Sequence, residues 1–164
     1  MTIWIGLDPG SISGAVGALD ANGDYLDSFM IEHKDKNILP LVFKNMILKC
    51  IDPKEGAEIC MEAVHSMPGQ GVSSSFQFGR AVGVISAVAE LTNYPFHLVS
   101  PQKWKKHFHL TSDKNESLDL ARYFWPEAKL TRKKDGNRAE ALLIALYWHD
   151  QINGKQNKHT STAN

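Results

Sequence analysis

The stretch IWIGLDPG, residues 3–10, decides how the rest of the 164-residue chain is interpreted. Apolar side chains alternate along it, which predicts a β-strand with Gly6 and Asp8 on the same face. Pro9 ends the strand because proline donates no backbone N–H, and Gly10 tolerates turn dihedrals. Asp8 therefore lies at the rim of a sheet, either as a metal-binding carboxylate or as a simple turn aspartate.

Length and composition indicate one domain at residues 1–152, followed by a polar tail at 153–164 that we predict to be disordered. Eighteen basic residues balance eighteen acidic ones, and the zero net charge argues mildly against a nucleic-acid partner. The chain has neither an apolar run of about eighteen residues nor a basic-then-apolar leader, so we predict no membrane association and a cytoplasmic location. A phage, a bacterial nucleoid and an organelle all fit such an intracellular protein. Cys50 and Cys60 lack metal-type spacing and are interpreted as reduced core residues.

Basic residues are concentrated in two places despite the neutral total. The first group flanks Trp104, and the second surrounds Asp135; the members are Lys103, Lys105 and Lys106, then Lys129, Arg132, Lys133, Lys134 and Arg138. Local patches of this kind bind phosphates even in a neutral chain. A solvated lysine-rich face is the commoner explanation of any single patch.

Periodicity and turn residues predict the order β-β-β-α-β-α-β-α-α, with one additional short basic helix. The predicted strands are 3–8, 14–19, 25–31, 57–64 and 95–99, and the predicted helices are 39–50, 74–92, 101–106, 113–125 and 139–149. Three antiparallel strands followed by alternating strands and helices favour an α/β fold with a mixed central sheet flanked by helices. Gly79, Gly83 and Ala87 form a smooth stripe on the long helix, which meets either the sheet or a second subunit.

Four acidic residues are the candidates for chemistry. Glu62 ends the fourth strand and approaches Asp8 if their strands are adjacent, while Glu140 opens an almost wholly apolar helix, just after Asp135. Acids gathered at one point repel each other unless metal ions or protons neutralise them. Mg²⁺ prefers oxygen ligands, and two such ions can activate a water and stabilise the leaving oxygen of a phosphodiester. The sequence therefore predicts a site for two Mg²⁺ ions, for which Mn²⁺ is expected to substitute.

Three motifs in this order resemble the RuvC-type Holliday junction resolvases of the RNase H-like superfamily, in their phage and organellar branch. They are GLDPG at 6–10, MEAV at 61–64 with the downstream Phe78, Gly79 and Gly83, and DG at 135–136 leading into RAEALLIA at 138–145. The resemblance covers residues 3–149. It implies an RNase H-like fold and a homodimer that cuts two strands of a four-way DNA junction with divalent metal.

The resemblance also implies the roles of the acids. Asp8, Glu62 and Glu140 become catalytic metal ligands, and Asp135 becomes the acid that precedes the last one. Asp135 and Glu140 are five residues apart, whereas in the family these acids are usually three or four residues apart. A spacing of five corresponds to about 140° around a helix. Asp135 can then face the metals only from the preceding loop, and Asn137 is the competing position.

DNA-binding roles follow from the same resemblance. Lys114 is expected to contact the scissile phosphate or stabilise developing charge, and Lys105 is the counterpart of a second such lysine. Phe76, at the end of the loop after Glu62, is expected to stack on or wedge between bases, and Gln70 to contact a base edge. Lys133 and Lys134 complete the expected DNA contacts. Lys114 as a surface lysine and Phe76 as a core residue are the alternatives.

The acids predict phosphodiester hydrolysis, and the resemblance implies an endodeoxyribonuclease that resolves four-way junctions in DNA recombination or repair. The expected products are a 5′-phosphate and a 3′-hydroxyl. One alternative keeps the fold but acts on RNA or flap substrates, and another is a junction-binding protein without catalysis. A sugar-kinase or actin-like ATPase also begins with a Gly-x-Asp turn, but it needs two such domains and a longer chain.

Overall fold

The structure is a computed structural model that describes residues 1–65 and 69–154. The predicted tail at 153–164 lies outside the described residues except for its first two positions, and so does the middle of the loop that follows Glu62. The strands are β1 (Thr2–Asp8), β2 (Ala15–Leu19), β3 (Tyr25–Met30), β4 (His33–Lys34), β5 (Asn37–Ile38), β6 (Gly56–Glu62) and β7 (Phe96–Val99). The helices are α1 (Pro40–Lys49), α2 (Val72–Glu90), α3 (Pro101–His107), α4 (Lys114–Phe124) and α5 (Gly136–Asn153).

Five strands form a mixed sheet in the order β3-β2-β1-β6-β7. β1 pairs antiparallel with β2, and β2 with β3, as the three-stranded start predicts. β6 pairs parallel with β1 on the side opposite β2, and β7 pairs parallel with β6. The adjacency of β1 and β6 brings the carboxyl ends of two parallel strands to the same edge of the sheet.

Helices cover both faces of this sheet, and each face has its own apolar core. α1 and α2 pack on the face that carries Ile5 and Ile59, where Ile85 of α2 is fully buried. α3, α4 and α5 pack on the opposite face, which carries Trp4 and Cys60. α5 runs across β1 and β2 and is buried on nearly every side, as its almost continuous apolar sequence predicts.

Two glycines of the sheet allow α5 to approach the strands closely. A Cβ atom added at Gly6 would lie 1.9 Å from the carbonyl oxygen of Ala141, and one at Gly17 would lie 2.5 Å from the backbone nitrogen of Leu142. Gly6 and Gly17 face each other on β1 and β2. The helix backbone therefore rests directly on the strand backbone, with no room for a side chain between them.

Sequence and structure differ mainly at the ends of elements. α5 begins at Gly136, three residues before the predicted start, because a 3-10 turn at Lys133–Asp135 leads directly into it. The β4–β5 hairpin is short and polar, and periodicity does not reveal it. The smooth stripe of α2 does not meet the sheet, since no atom of the described residues lies within 4 Å of a Cβ built at Gly79 or Gly83. No helix in the described part of the chain is long and apolar enough to cross a membrane.

Candidate active site

Asp8 and Glu62 end neighbouring parallel strands on the same face of the sheet. Leu7 pairs with Met61 in the register of β1 and β6, so the next residue on each strand is an acid. Glu140 reaches this edge from α5, because it directly precedes Ala141, whose carbonyl group lies against Gly6. The structure thus brings together three of the four predicted acids.

Burial and mutual repulsion dominate the electrostatics of these acids. Asp8 is only 6% exposed and Glu140 only 3%. Burial, together with the charges of Glu140 and Glu62, raises the pKa of Asp8 well above its ordinary value. Burial and the charge of Glu140 likewise raise the pKa of Glu62, although a hydrogen bond from Trp104 opposes the shift. Such a cluster stabilises any cation that enters it.

Two lysine side chains lie among the carboxylates. Lys114 Nζ is 2.9 Å from Glu140 Oε2, and Lys105 Nζ is 3.3 Å from Glu140 Oε1. Burial lowers the pKa of Lys114, but the charges of Asp8, Glu140 and Glu62 outweigh it and raise the pKa above its ordinary value. Lys114 is therefore positively charged beside Glu140; it is the residue to which the resemblance assigns a contact with the scissile phosphate.

Trp104 orients Glu62 and was missed by sequence reasoning. Its indole Nε1 donates a hydrogen bond of 2.7 Å to Glu62 Oε2, and its ring is fully buried under the sheet. A single tryptophan within the lysine-rich α3 indicates a buried face. Its partner, 42 residues earlier in the chain, cannot be read from spacing. Ser117, also buried, donates from Oγ to Glu140 Oε1 at 3.5 Å.

Asn137 lies at this site, one helical turn before Glu140. Its Oδ1 accepts a hydrogen bond of 2.7 Å from Lys114 Nζ, and its Nδ2 donates one of 2.7 Å to the carbonyl oxygen of Ser13. The amide therefore ties the turn between β1 and β2 to the start of α5 and holds the ammonium group of Lys114 next to Glu140.

Asp135 is not brought to the other three acids. Its carboxylate accepts hydrogen bonds from the backbone and side chain of Arg132, and Arg138 Nη1 lies 3.4 Å from Oδ1. Burial raises the pKa of Asp135, but these hydrogen bonds and the two guanidinium charges prevail and lower it from 3.8 to about 2. In this arrangement Asp135 stabilises the turn that starts α5, and Asn137 occupies the competing position near Lys114.

The arrangement of possible metal ligands is looser than a preformed metal site. Within residues 1–65 and 69–154, no group of three or more His, Cys, Asp or Glu side chains is close enough together to hold a metal ion. Asp8, Glu62 and Glu140 remain the residues that can supply oxygen ligands at one edge of the sheet. Lysine ammonium groups are the cations that contact Glu140 in this structure.

The predicted DNA-binding residues lie in different surroundings. A cavity of about 820 Å³ opens beside Glu62, and Gln70 and Lys105 both line it. Phe76 is 67% exposed on α2 and is therefore not a core residue. Lys133 and Lys134 are exposed on the 3-10 turn before α5, where they do not contact the acids.

Comparison with solved structures identifies the fold. The chain is similar to Thermus thermophilus RuvC in complex with a Holliday junction substrate, with a TM-score of 0.70, 15% identity, and coverage of 93% of this chain and 96% of that one. The fowlpox virus Holliday junction resolvase gives a TM-score of 0.56 at 10% identity, covering 92% of this chain and 99% of its own. The yeast mitochondrial Holliday junction resolvase gives 0.50 at 18% identity, covering 96% and 82%. No protein-family model and no curated protein matches the sequence.

The chain therefore has an RNase H-like α/β fold, as the sequence predicts. Within that class its strand order and flanking helices are those of RuvC, over nearly the full length of both chains. The three acids that the structure gathers at the edge of β1 and β6 are the residues that the sequence motifs single out.

Proposed function

We propose that the protein is a structure-selective endodeoxyribonuclease of the RuvC type, which resolves four-way DNA junctions by hydrolysing phosphodiesters. One observation carries the proposal: carboxylates from β1, β6 and α5 converge with two lysines at one edge of an RNase H-like sheet. Carboxylates and ammonium groups are what metal-assisted phosphodiester hydrolysis requires. The similarity to three Holliday junction resolvases of this fold supports the choice of DNA junctions as substrate.

The residues at the site fit Mg²⁺ by their donor chemistry. Asp8, Glu62 and Glu140 offer only carboxylate oxygens, which hard cations prefer. Burial, together with the charges of Glu140 and Glu62, raises the pKa of Asp8, and a divalent cation bound there would oppose that shift. Bound there, Mg²⁺ would supply Lewis-acid stabilisation of the charge that develops on the phosphate. Two ions per site remain our prediction, with Asp135 engaged by Arg132 and Arg138 instead.

The chain's own residues position the phosphate and the carboxylates. Lys114 and Lys105 contact Glu140 through ammonium groups, which can also donate hydrogen bonds to phosphate oxygens. Trp104 fixes the rotamer of Glu62 through its indole N–H, and Asn137 holds Lys114 at the site. Positioning of this kind lowers the barrier because less freedom is lost in the transition state.

The decisive experiment compares four-way junctions, flaps, linear duplexes and RNA–DNA hybrids with one enzyme preparation, in Mg²⁺ and in EDTA. We expect paired cuts in the four-way junction only in Mg²⁺. Glu62→Gln and Glu140→Gln should bind the junction yet fail to cut it, whereas Glu127→Gln, at an exposed position, should cut normally. Faster cutting of flaps or RNA–DNA hybrids than of four-way junctions would instead support the alternative of a nuclease that acts on RNA or flap substrates.

A junction-binding protein without catalysis is the second candidate. It is favoured by the contacts of Lys105 and Lys114 with Glu140, which neutralise much of the acidic cluster without a metal ion. Calorimetric titration with Mg²⁺ and Mn²⁺ distinguishes the two candidates. Binding that is lost in Glu140→Gln supports the nuclease, and the absence of binding together with tight junction affinity supports the alternative.

We also propose that the protein acts as a homodimer through α2. An apolar and small-residue face of this helix is exposed, comprising Val72, Phe76, Gly79, Gly83, Ala87 and Leu91. Gly79 and Gly83 lie four residues apart, and no part of the chain that the structure describes covers them, so a second helix can approach closely. Light scattering should give twice the monomer mass for wild type, and the monomer mass for Gly83→Glu. The control Leu41→Glu, on exposed α1, should remain dimeric, and a monomeric wild type would refute the proposal.

A further inference from the structure

The cavity beside Glu62 has the size and composition of a site for a flat, partly apolar ligand. Its volume of about 820 Å³ lies within the range of about 300–1,000 Å³ for small-molecule sites. Its walls combine apolar side chains with two cations, namely Ala63, Val64, Phe78, Leu110, Lys105 and Lys106. Among the lining residues that the structure describes, Glu62 is the only carboxylate, and Lys106 adds a positive charge beside Lys105, which contacts Glu140.

The cavity is continuous with the acid cluster. Glu62 belongs to both, since it ends β6 beside Asp8 and also lines the cavity. Lys105 belongs to both as well, because it contacts Glu140 and lines the same cavity. A phosphodiester bound at the acids would therefore lie next to the cavity that Glu62 and Lys105 line.

We propose that this cavity receives the unstacked nucleobase next to the scissile phosphate, an inference that rests on the proposed nuclease function. The apolar walls and the ring of Phe78 suit a base, and Lys105 and Lys106 suit its phosphate. A base inside a linear duplex must be unpaired and unstacked before it enters, whereas a base at a branch point has already lost part of its stacking. The cavity then explains selectivity for branched DNA without reading a sequence.

The test first fills the cavity with a larger side chain and then removes the base from the DNA substrate. Wild-type cutting of a synthetic four-way junction is measured first and maps the cut, which tests the proposed function by itself. Val64→Trp places an indole in the cavity, and Thr111→Trp does so from the segment that follows α3. Leu41→Trp, on the exposed side of α1, is the matched control. Thermal melting establishes that each variant is folded.

Each variant is then given junctions that carry an abasic residue at the nucleotide 5′ or 3′ of the cut, or in the middle of one arm. We expect the filled variants to cut the intact junction about tenfold more slowly than wild type, because the indole occupies the space of the base. An abasic residue at one of the flanking positions should bring them to the rate at which wild type cuts the same abasic junction, and one in the arm should not. Thr111→Trp decides the matter if Val64→Trp does not fold.

Two results would overturn the inference while leaving the nuclease function intact. In one, the filled variants cut the intact junction as fast as wild type and the Leu41→Trp control. In the other, they are slowed equally on intact and abasic junctions. If wild type cuts no branched DNA at all, the proposed function fails and this inference fails with it.

Discussion

Replacing Gly6 by alanine should damage both the stability of the protein and its active site. The added Cβ would lie 1.9 Å from the carbonyl oxygen of Ala141 and 2.6 Å from the backbone nitrogen of Ala145. Both atoms belong to the α5 backbone, so no side-chain rotation can relieve the clash. Ordinary contact begins at 3.4 Å, and the helix must therefore move away from β1 by about 1.5 Å, the difference between these two distances.

The expected cost is near the upper end of that for overpacked cores, about 3 kcal/mol. In a protein of this size, that lowers the melting temperature by about 10 °C. The same displacement moves Glu140, which precedes Ala141, relative to Asp8. Since a misplacement of about 1 Å can slow an enzyme about 100-fold, junction cutting should fall by that order at temperatures where the variant is folded.

Urea denaturation followed by circular dichroism measures the first effect, and junction cutting at 20–25 °C, about room temperature, measures the second. Gly56→Ala is the matched control, because its added Cβ would meet only Thr2 Oγ1 at 3.9 Å. Alanine there should change the free energy of unfolding by no more than about 1 kcal/mol. A Gly6→Ala variant as stable and as active as the Gly56→Ala control would refute the close approach of α5.

Three further substitutions test the surroundings of the acids. Asp135→Asn should lower the free energy of unfolding by about 2 kcal/mol at pH 7, because the pKa of Asp135 in the folded protein is lowered to about 2. This loss of stability should shrink as the pH falls through about 4 towards 2. Mg²⁺ binding, measured by calorimetry, should persist in this variant. Trp104→Phe keeps the ring but loses the N–H that orients Glu62, so cutting should fall about tenfold with junction affinity unchanged in gel-shift assays. Asn137→Asp adds a fourth carboxylate beside Lys114, so the affinity for Mg²⁺ should rise about tenfold in calorimetry. The control Asn137→Ala should show no such rise. Equal Mg²⁺ affinities for the two variants would exclude position 137 from metal binding.

The sequence predicts the sheet and two of the acids well because short-range rules determine them. Alternation along residues 3–10 fixes which side chains share a face, so Asp8 follows Gly6 on the face that α5 covers. The same rule puts Glu62 on that face of β6, and the parallel pairing brings the two acids together. The burial of α5 also follows from composition, since few other environments accept a helix that is apolar on every side.

The site of the fourth acid shows where these rules fail. Periodicity indicates α5 only from residue 139, where apolar residues begin, but the helix starts at Gly136 after a 3-10 turn. The environment of Asp135 is set by Arg132 and Arg138, three residues away on either side. This spacing alone predicts ion pairs with Asp135, in competition with its assignment as a metal ligand. The contact between Trp104 and Glu62 has no comparable signal, because it joins α3 to β6 across 42 residues of sequence.

Packing and chemistry at this site depend on the same few residues. The carbonyl of Ala141 can lie on β1 only because Gly6 has no side chain. Glu140 directly precedes Ala141, and Asp8 is the next residue after Gly6 on the same face of β1. Any change that lifts α5 from the sheet must therefore separate the carboxylates as well. Gly-x-Asp in a strand and Glu-Ala in a buried helix thus form one structural unit, since the glycine permits the approach that brings the two acids together. This dependence explains why a motif as short as Gly-x-Asp carries information about a site assembled from residues more than a hundred positions apart.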